Sequence, residues 1–274
     1  MSLLRSHPTL FFRRVYTEIK GPFLSRQLAV QKRIDGVLFE FDFTFDPSIK
    51  LMFEGIYEVD MVNAMRKYLR PGDTFLDVGA NIGYLSAIAL GLVGQSGQVH
   101  SFEPVPQFFE KLKQVASLNP EYTLSANQCA LGDAPGEADI KVSNVSNIGW
   151  NTMVPGMMSE ETVLQSIKVP VATLSSYLAE RSIDKVAMMK IDTEGYEYRV
   201  LKGLSAHLAA TSNRPVLLVE IAPSAYPLLG TDLRALRDLL AGFGYNAVEV
   251  HDHRRPVDII SLTETTNVLF LPST

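Results

Sequence analysis

The sequence predicts an α/β fold in which helices cover a largely parallel sheet. From residue 74 onward, short apolar segments alternate with longer segments whose apolar residues recur at helical spacing. The short segments are apolar on both faces, as in Val216-Leu217-Leu218-Val219, which is typical of parallel strands covered on both sides. Residues 74–84 also run from an apolar strand through a glycine-rich turn into a helix. Such a turn places a ligand site at the carboxyl edge of the sheet.

Ahead of the sheet, residues 1–53 are predicted to form a small N-terminal extension with β and α elements, and residues 54–274 the main domain. Residues 36–43 alternate apolar and acidic side chains, as a half-exposed strand does. Residues 57–69 have helical spacing and end before Pro71-Gly72-Asp73, which stops a helix.

The main domain then alternates strands and helices. Strands are predicted at 74–78, 98–102, 122–129, 186–192 and 215–221, with two more at 246–250 and 267–271. Helices are predicted at 82–93, 106–118, 174–182, 196–209 and 232–243.

The alternation fails between residues 134 and 172. Residues 143–152 are polar, turn-prone and include Trp150, the single tryptophan of the chain. An insertion before the strand at 186 lies near the carboxyl ends of the strands, where open sheets bind ligands. Two interpretations stay open: a substrate-binding loop, or a surface excursion with Trp150 packed on the core.

Composition limits the classes of function. The 274 residues suit one decorated α/β domain, and a net charge of −5 offers no basic surface to gather nucleic acid. Cys129 is the single cysteine, so an internal disulfide is excluded and a reducing, cytoplasmic location is expected. The longest apolar run, near residues 85–93, is too short to span a bilayer. A homo-oligomer stays open.

The turn after the first core strand carries the strongest functional signal. Asp77 stands before Gly79-x-x-x-Gly83, and Glu103 ends the next strand. A nucleoside held across two adjacent strands needs a turn that lets the backbone approach it and an acid that accepts hydrogen bonds from its ribose.

The spacing of this turn argues against a dinucleotide. Asn81 occupies the position of the middle glycine in G-x-G-x-x-G, and the Asp77 carboxylate would repel a pyrophosphate. The same carboxylate could interact with an ammonium group. S-adenosylmethionine fits these features because it has an amino group, a carboxylate suited to a helix N-terminus and an unphosphorylated ribose.

Further motifs stand before the first core helix, at the ends of the predicted strands and within the helix predicted at 196–209. They are Glu54-Gly55-Ile56-Tyr57-Glu58, Asp77-Val78-Gly79-Ala80-Asn81-Ile82-Gly83-Tyr84, Phe102-Glu103-Pro104, Ala130-Leu131-Gly132-Asp133, Met189-Lys190-Ile191-Asp192-Thr193-Glu194-Gly195-Tyr196-Glu197 and Val200-Leu201-Lys202-Gly203. In these motifs the chain resembles the FkbM family of S-adenosylmethionine-dependent methyltransferases from about residue 55 to residue 271. The resemblance implies a doubly wound, mostly parallel, seven-stranded Rossmann-like sheet of the class I methyltransferases. It also implies O-methylation of a small or medium-sized acceptor, often a sugar or natural product.

The resemblance implies roles for the residues of the first two strand ends. Asp77, Gly79, Asn81 and Gly83 would cradle the methionine end of the cofactor. Glu103 would bind the ribose hydroxyls.

Other cofactor contacts are expected around the third strand and before the first core helix. Asn127 through Ala130 lie where the adenine edge should be bound. Tyr57 and Glu58 would close over the cofactor, the alternative being a helix N-terminus with a favourably placed acid.

Three carboxylates at the ends of the fourth and fifth strands are the catalytic candidates. An alcohol is a poor nucleophile until a base or a metal helps to remove its proton. Asp192 is the first candidate for that base, followed by Glu194 and Glu220. The structural alternative is that Asp192 caps the following turn and Glu194 pairs with a neighbouring basic residue.

No metal site is predicted outright. A divalent cation held by Asp192 and Glu220 stays an alternative, because hard cations prefer carboxylate oxygens. His251 and His253 are separated by one residue, so on a strand both could face one metal ion. Basic residues and a proline follow directly, which indicates a solvated turn instead. His100, within the second strand, is predicted to be a satisfied core residue.

Two alternative functions stay open beside the O-methyltransferase. An N-methyltransferase of nucleic acid or protein often carries Asn-Pro-Pro-aromatic or Asp-Pro-Pro-aromatic after the fourth strand, whereas this chain has Asp192-Thr193-Glu194-Gly195. A cofactor-binding scaffold without transfer activity is disfavoured by the intact acids Asp77, Glu103 and Asp192.

Overall fold

The computed structural model describes residues 29–143 and 150–273 of the chain. Residues 1–28 of the predicted extension and residues 144–149 of the predicted insertion lie outside the described residues. The division of the chain at residue 53 stays a prediction.

The described residues form twelve strands and eight α-helices. The strands are β1 (Ala29–Ile34), β2 (Val37–Asp42), β3 (Thr74–Val78), β4 (Gln98–Phe102), β5 (Thr123–Asn127), β6 (Ala130–Leu131), β7 (Gly136–Ser143), β8 (Val163–Ala172), β9 (Met188–Ile191), β10 (Val216–Ile221), β11 (Tyr245–Glu249) and β12 (Thr266–Pro272). The helices are α1 (Ser48–Glu54), α2 (Val59–Tyr68), α3 (Tyr84–Val93), α4 (Pro106–Leu118), α5 (Leu174–Glu180), α6 (Glu197–Ala210), α7 (Ala225–Leu228) and α8 (Leu233–Gly242).

A seven-stranded sheet organises the main domain, with strand order β11-β12-β10-β9-β3-β4-β5. The strands from β10 to β5 pair in parallel, and β12 pairs antiparallel with both β10 and β11. The chain winds outward from β3 toward β5 and then returns to β9, so the order reverses between β3 and β9. Ligands bind at such a switch point in open α/β sheets. The predicted doubly wound, mostly parallel sheet is confirmed.

Both faces of this sheet are buried, as the unbroken apolar strands predicted. In β10, Leu217 and Val219 belong to one hydrophobic cluster and Leu218 belongs to the other. Helix α3 packs in the cluster of Leu218, and helix α6 packs in the cluster of Leu217. Successive strand side chains point to opposite faces, so helices on both sides exclude water from the sheet.

The hairpin of β1 and β2 packs on the main domain. Val37, Phe39 and Phe41 alternate as buried residues of β2 and belong to the same cluster as helix α3. The amide side chain of Asn119 fixes the hairpin, since it accepts from the Leu38 N–H at 2.7 Å and donates to the Leu38 carbonyl at 2.8 Å. The sequence pattern predicted β2, whereas β1 and α1 were not predicted.

The interruption between residues 134 and 172 contains β7 and β8 of a small second sheet. Strand β8 pairs antiparallel with β7 and parallel with β6, in the order β6-β8-β7. Ile140, Val142 and Val169 are buried, while most neighbouring side chains are not. Few apolar positions and Pro170 within β8 left the strand signal weak.

None of the described helices is both long enough and apolar enough to cross a membrane.

Candidate active site

A cavity of about 400 Å³ opens at the carboxyl ends of β3, β4, β9 and β10. Its wall is built from the turns that follow these strands, from the segment before α2 and from the end of the insertion. The lining residues include Tyr57, Glu58, Val78, Gly79, Ala80, Asn81, Ile82, Phe102, Glu103, Pro104, Cys129, Ala130, Leu131, Trp150, Asn151, Met153, Lys190, Asp192, Thr193, Glu194 and Glu220. The cavity therefore occupies the switch point of the sheet.

The turn after β3 approaches the turn after β9 more closely than any side chain at Gly79 would allow. Gly79 has φ +77°, and a Cβ atom there would lie 1.8 Å from the carbonyl oxygen of Asp192. The amides of Gly79 and Ala80 donate to the carbonyl of Phe102 at 3.0 and 2.9 Å. Glycine is required here both for its positive φ and for this contact.

Glu103 joins the turns after β3 and β4. Its Oε2 accepts from the backbone N–H of Asn81, and its Oε1 accepts from the N–H of Val105, both at 2.8 Å. Glu103 is 5% exposed, and burial raises its pKa to about 7 despite these bonds and nearby Lys190. Each carboxylate oxygen has a second lone pair, so both can still accept a hydroxyl hydrogen from a ligand.

Lys190 is a buried cation between the cofactor turn and the acidic end of the cavity. Its Nζ donates to the carbonyl of Gly79 at 2.6 Å and lies 3.5 Å from Oδ1 of Asp77 and 3.3 Å from Oδ2 of Asp192. Burial lowers the pKa of Lys190, but Asp192 and Asp77 reverse this effect, and the pKa lies above its ordinary value. The ammonium is therefore charged and offsets the two carboxylates.

Three carboxyl groups meet at the ends of β9 and β10. One oxygen each from Asp192, Glu194 and Glu220 lies within 4.8 Å of the others. Burial raises the pKa of Glu194 to about 9 and that of Glu220 to about 10, and the charge of Asp192 adds to both effects. Burial likewise raises the pKa of Glu58 to about 7. Burial and the neighbouring charge thus favour the protonated forms of Glu194 and Glu220.

The backbone of Glu194 adopts a left-handed conformation, with φ +53°. Such a conformation is uncommon for a residue with a side chain. The Oγ1 of Thr152 donates to the carbonyl of Glu194 at 2.7 Å and accepts from the N–H of Val154 at 3.0 Å. The end of the insertion is thus attached directly to the turn that carries the catalytic candidates.

Most of the predicted site residues line the cavity. From the cofactor set they are Tyr57, Glu58, Gly79, Asn81, Glu103 and Ala130, and from the catalytic set they are Asp192, Glu194 and Glu220. The structure therefore brings both predicted sets to one place.

Asp77, Gly83 and Asn127 are not part of the cavity wall. Asp77 is fully buried beneath it, where the Oγ of Ser86 donates to its Oδ2 at 2.6 Å. Gly83 caps helix α3 at φ +83°. The amide of Asn127 donates to the carbonyls of Ser101 and Ser125 at 3.1 and 2.9 Å. Asp77 lies within β3 and Asn127 within β5, and the period of a strand turns their side chains away from the cavity.

The sequence analysis assigned no role to Lys190, and it left two interpretations open for the insertion, which contributes Trp150, Asn151 and Met153 to the wall. Lys190 belongs to the motif quoted from β9, and its separation by two residues from Asp192 places both on one side of the strand. That spacing could have indicated that Lys190 faces the same cavity as Asp192. The contact between Thr152 and Glu194 joins residues 42 positions apart, and no local pattern indicates it.

The histidines do not build a metal site in the described residues. His100 is buried, with Nδ1 2.8 Å from the Tyr177 hydroxyl and Nε2 3.3 Å from Oε1 of Gln98, and burial lowers its pKa to about 4. It is a satisfied core residue, as predicted. His253 contacts Tyr68 through Nδ1 and the carbonyl of Val250 through Nε2, whereas Nε2 of His251 lies 2.9 Å from Glu249. The two imidazoles thus have different partners.

Comparison with known proteins identifies a family model that matches most of the main domain. Residues 77–247 match the family described as the methyltransferase FkbM domain. The 31-O-demethyl-FK506 methyltransferase FkbM of Streptomyces tacrolimicus is 31% identical over 163 residues, which cover 50% of this chain and 61% of that protein. Methyltransferase 1 of Beauveria bassiana is 28% identical over 186 residues, which cover 60% of this chain and 72% of that protein.

A third relative is named as a methyltransferase of a sugar acid. The hexuronic acid methyltransferase AglP of Haloferax volcanii is 24% identical over 171 residues, which cover 62% of this chain and 64% of that protein. The chain thus spans less than two thirds of the length of the Streptomyces and Haloferax relatives.

Proposed function

This chain belongs to the FkbM family of S-adenosylmethionine-dependent methyltransferases, and on that basis we propose that it methylates a hydroxyl group of a small or medium-sized acceptor, such as a sugar or a natural product. One observation carries this proposal: a single cavity joins Glu103, at the end of β4, to the three carboxyl groups of Asp192, Glu194 and Glu220. One end suits a nucleoside, and the other end suits the proton chemistry of an alcohol.

The residues present fit S-adenosylmethionine. The turn at Gly79 lines the cavity with Asn81 and Glu58 beside it, so the methionine end of a ligand could approach its backbone. Glu103 would accept hydrogen bonds from the ribose hydroxyls, and Ala130 would pack against adenine. When bound, this cofactor supplies a methyl group activated on a sulfonium. Asp77 and Gly83 support the turn from below rather than from its surface.

Asp192 is the proposed general base. Its side chain is 29% exposed, so it can reach an acceptor, and the ammonium of Lys190 compensates its negative charge. Glu194 and Glu220, which hold their protons at neutral pH, can donate hydrogen bonds to other oxygens of the acceptor. In this arrangement one carboxylate accepts the proton of the hydroxyl, while two neutral carboxyl groups orient the molecule. Positioning of this kind supplies several kcal/mol of catalysis.

The same three carboxyl groups could instead hold a divalent cation. Three oxygens within 4.8 Å of one another form a hard donor set of the kind that Mg²⁺ and Ca²⁺ prefer. In that case the cation would lower the pKa of the acceptor hydroxyl, and Asp192 would act as a ligand. The two arrangements differ in their response to a chelator.

The proposal is tested by binding and by product analysis. Calorimetry should detect binding of S-adenosylmethionine and of S-adenosylhomocysteine to the purified chain. Incubation with methyl-labelled cofactor and a panel of sugars, polyketides and amines should place the label on an oxygen, located by mass spectrometry and NMR. Absence of cofactor binding would contradict the proposal, and transfer to nitrogen would favour the N-methyltransferase alternative.

A further inference from the structure

Trp150 is a large aromatic side chain at the rim of the cavity and is the single tryptophan of the chain. It is 48% exposed, although aromatic side chains are usually well buried. It lines the same cavity as Asp192 and Glu194. Half of its surface is thus available to a molecule that occupies the space beside the catalytic candidates.

The backbone on the C-terminal side of Trp150 is fixed rather than free. Asn151 accepts through Oδ1 from the N–H of Ser143 at 3.1 Å. Thr152 is 3% exposed, and its backbone exchanges two hydrogen bonds with Lys141, at 2.9 and 3.1 Å. The side chain of Thr152 donates to the carbonyl of Glu194. Trp150 is therefore held two residues from an anchor on the catalytic turn.

The described side chains around this space offer no free cation to an anionic acceptor. The described lining residues carry five carboxyl groups, those of Glu58, Glu103, Asp192, Glu194 and Glu220. Lys190 is the single basic side chain among the described lining residues, and Gly79, Asp77 and Asp192 already surround its ammonium. A carboxylate or phosphate near the methylated hydroxyl would lose its hydration inside the cavity without a free cation to replace it.

From this geometry we propose that Trp150 binds the acceptor and selects a neutral, saturated ring that bears several hydroxyl groups. One face of the ring, lined by C–H groups, packs on the indole, while its hydroxyls bond to the carboxyl groups across the cavity. An aromatic face provides apolar contact area at little cost in conformational entropy, which suits a rigid ring. This inference rests on the proposed function, because it assigns the acceptor end of the same cavity.

The single tryptophan makes the test direct, because emission excited at wavelengths that tyrosine does not absorb reports on Trp150 alone. The protein is first saturated with S-adenosylhomocysteine and then titrated with the methyl glycosides of glucose, galactose and mannose. We expect a saturable change in emission with at least one of these glycosides. Methyl glucuronide, matched to the glucoside except for its carboxylate, should bind at least tenfold more weakly.

Calorimetry on two variants completes the test. Trp150→Ala should weaken binding of the responding glycoside at least tenfold, and Trp150→Phe, which retains an aromatic face, should restore most of that affinity. The affinity of both variants for S-adenosylhomocysteine shows whether the cofactor end of the cavity is folded.

The outcomes separate this inference from the function on which it rests. If S-adenosylhomocysteine binds but no neutral glycoside changes the emission, the role of Trp150 is overturned and the proposed function stands. Equal affinity for glucoside and glucuronide overturns the selection by charge. If S-adenosylhomocysteine itself does not bind, the proposed function fails and the inference fails with it.

Discussion

The ammonium of Lys190 lies 3.3 Å from Oδ2 of Asp192, and the Lys190 side chain is 4% exposed. The same nitrogen contacts Asp77 and the carbonyl of Gly79. One buried cation therefore links the interior of β3, the glycine turn and the acidic end of the cavity. The stability of the fold depends on this residue, which also places a positive charge beside the candidate base.

Removal of this cation should destabilise the protein strongly. Lys190→Met leaves the buried carboxylate of Asp77 without its compensating charge, which typically costs about 3–5 kcal/mol. The measurement is urea unfolding followed by circular dichroism. Lys202→Met is the matched control: this lysine lies 3.1 Å from Asp133 but its side chain is 51% exposed. The control should lose less than about 1 kcal/mol, and similar losses in both variants would contradict the role of Lys190.

Glu103→Ala should weaken cofactor binding by about 1–3 kcal/mol, because the ribose hydroxyls lose a charged partner. The same change frees the backbone amides of Asn81 and Val105, so the turn becomes less ordered. Calorimetry with S-adenosylhomocysteine gives the dissociation constant. Glu110→Ala, at an exposed acid of helix α4, serves as the control and should bind normally. Unchanged affinity in Glu103→Ala would remove Glu103 from the cofactor site.

Asp192→Asn should reduce turnover much more than cofactor affinity. A positioned general base contributes about 10²–10⁴-fold to rate, and the amide that replaces it cannot accept the proton of the hydroxyl. The measurements are kcat with a responding acceptor and the dissociation constant of S-adenosylmethionine. Wild-type values for both would show that the acceptor is held elsewhere in the cavity.

The pH dependence of stability should reveal Glu197, which is 0% exposed. Burial raises its pKa from 4.5 to about 7, although Thr193 and Gly195 donate to its Oε1. The folded protein therefore keeps a proton that the unfolded chain releases above pH 4.5. The stability from this group is complete below pH 4.5 and is lost as pH rises through about 7.

Glu197→Gln cannot titrate, so its melting temperature should fall less steeply than that of the wild-type protein across this pH range. Differential scanning fluorimetry of the two proteins in matched buffers isolates the contribution of this residue. Parallel curves would show that the carboxyl group is ionised in the folded protein at all of these pH values.

Chelation should leave transfer activity intact. Burial and the charge of Asp192 raise the pKa values of Glu194 and Glu220 well above neutrality, so protons already relieve the repulsion that a cation would otherwise offset. The test compares kcat before and after treatment with EDTA. Loss of activity that Mg²⁺ restores would instead establish the cation alternative.

Local patterns in the sequence were sufficient for the framework of the cavity. The apolar runs at 74–78 and 215–221 predicted buried strands, and the turn at Gly79 with Glu103 beyond it predicted a nucleoside site at their ends. These features depend on residue period and on backbone conformation, which act over a few positions. Such local rules also explain why β7 and β8 were missed, since their apolar alternation is short and Pro170 interrupts it.

By itself the sequence determined the sheet, the glycine turn and the family, because strand period, turn chemistry and contiguous motifs are all local properties. Tertiary structure alone decided that Asp77 lies beneath the turn with Lys190, that Asn127 bonds to Ser101 of β4, and that Thr152 holds the turn of Glu194. These contacts join strands and segments that are distant along the chain. Their formation depends on how the packed elements bring buried charges and backbone groups together, since each such group must find a partner once water is excluded.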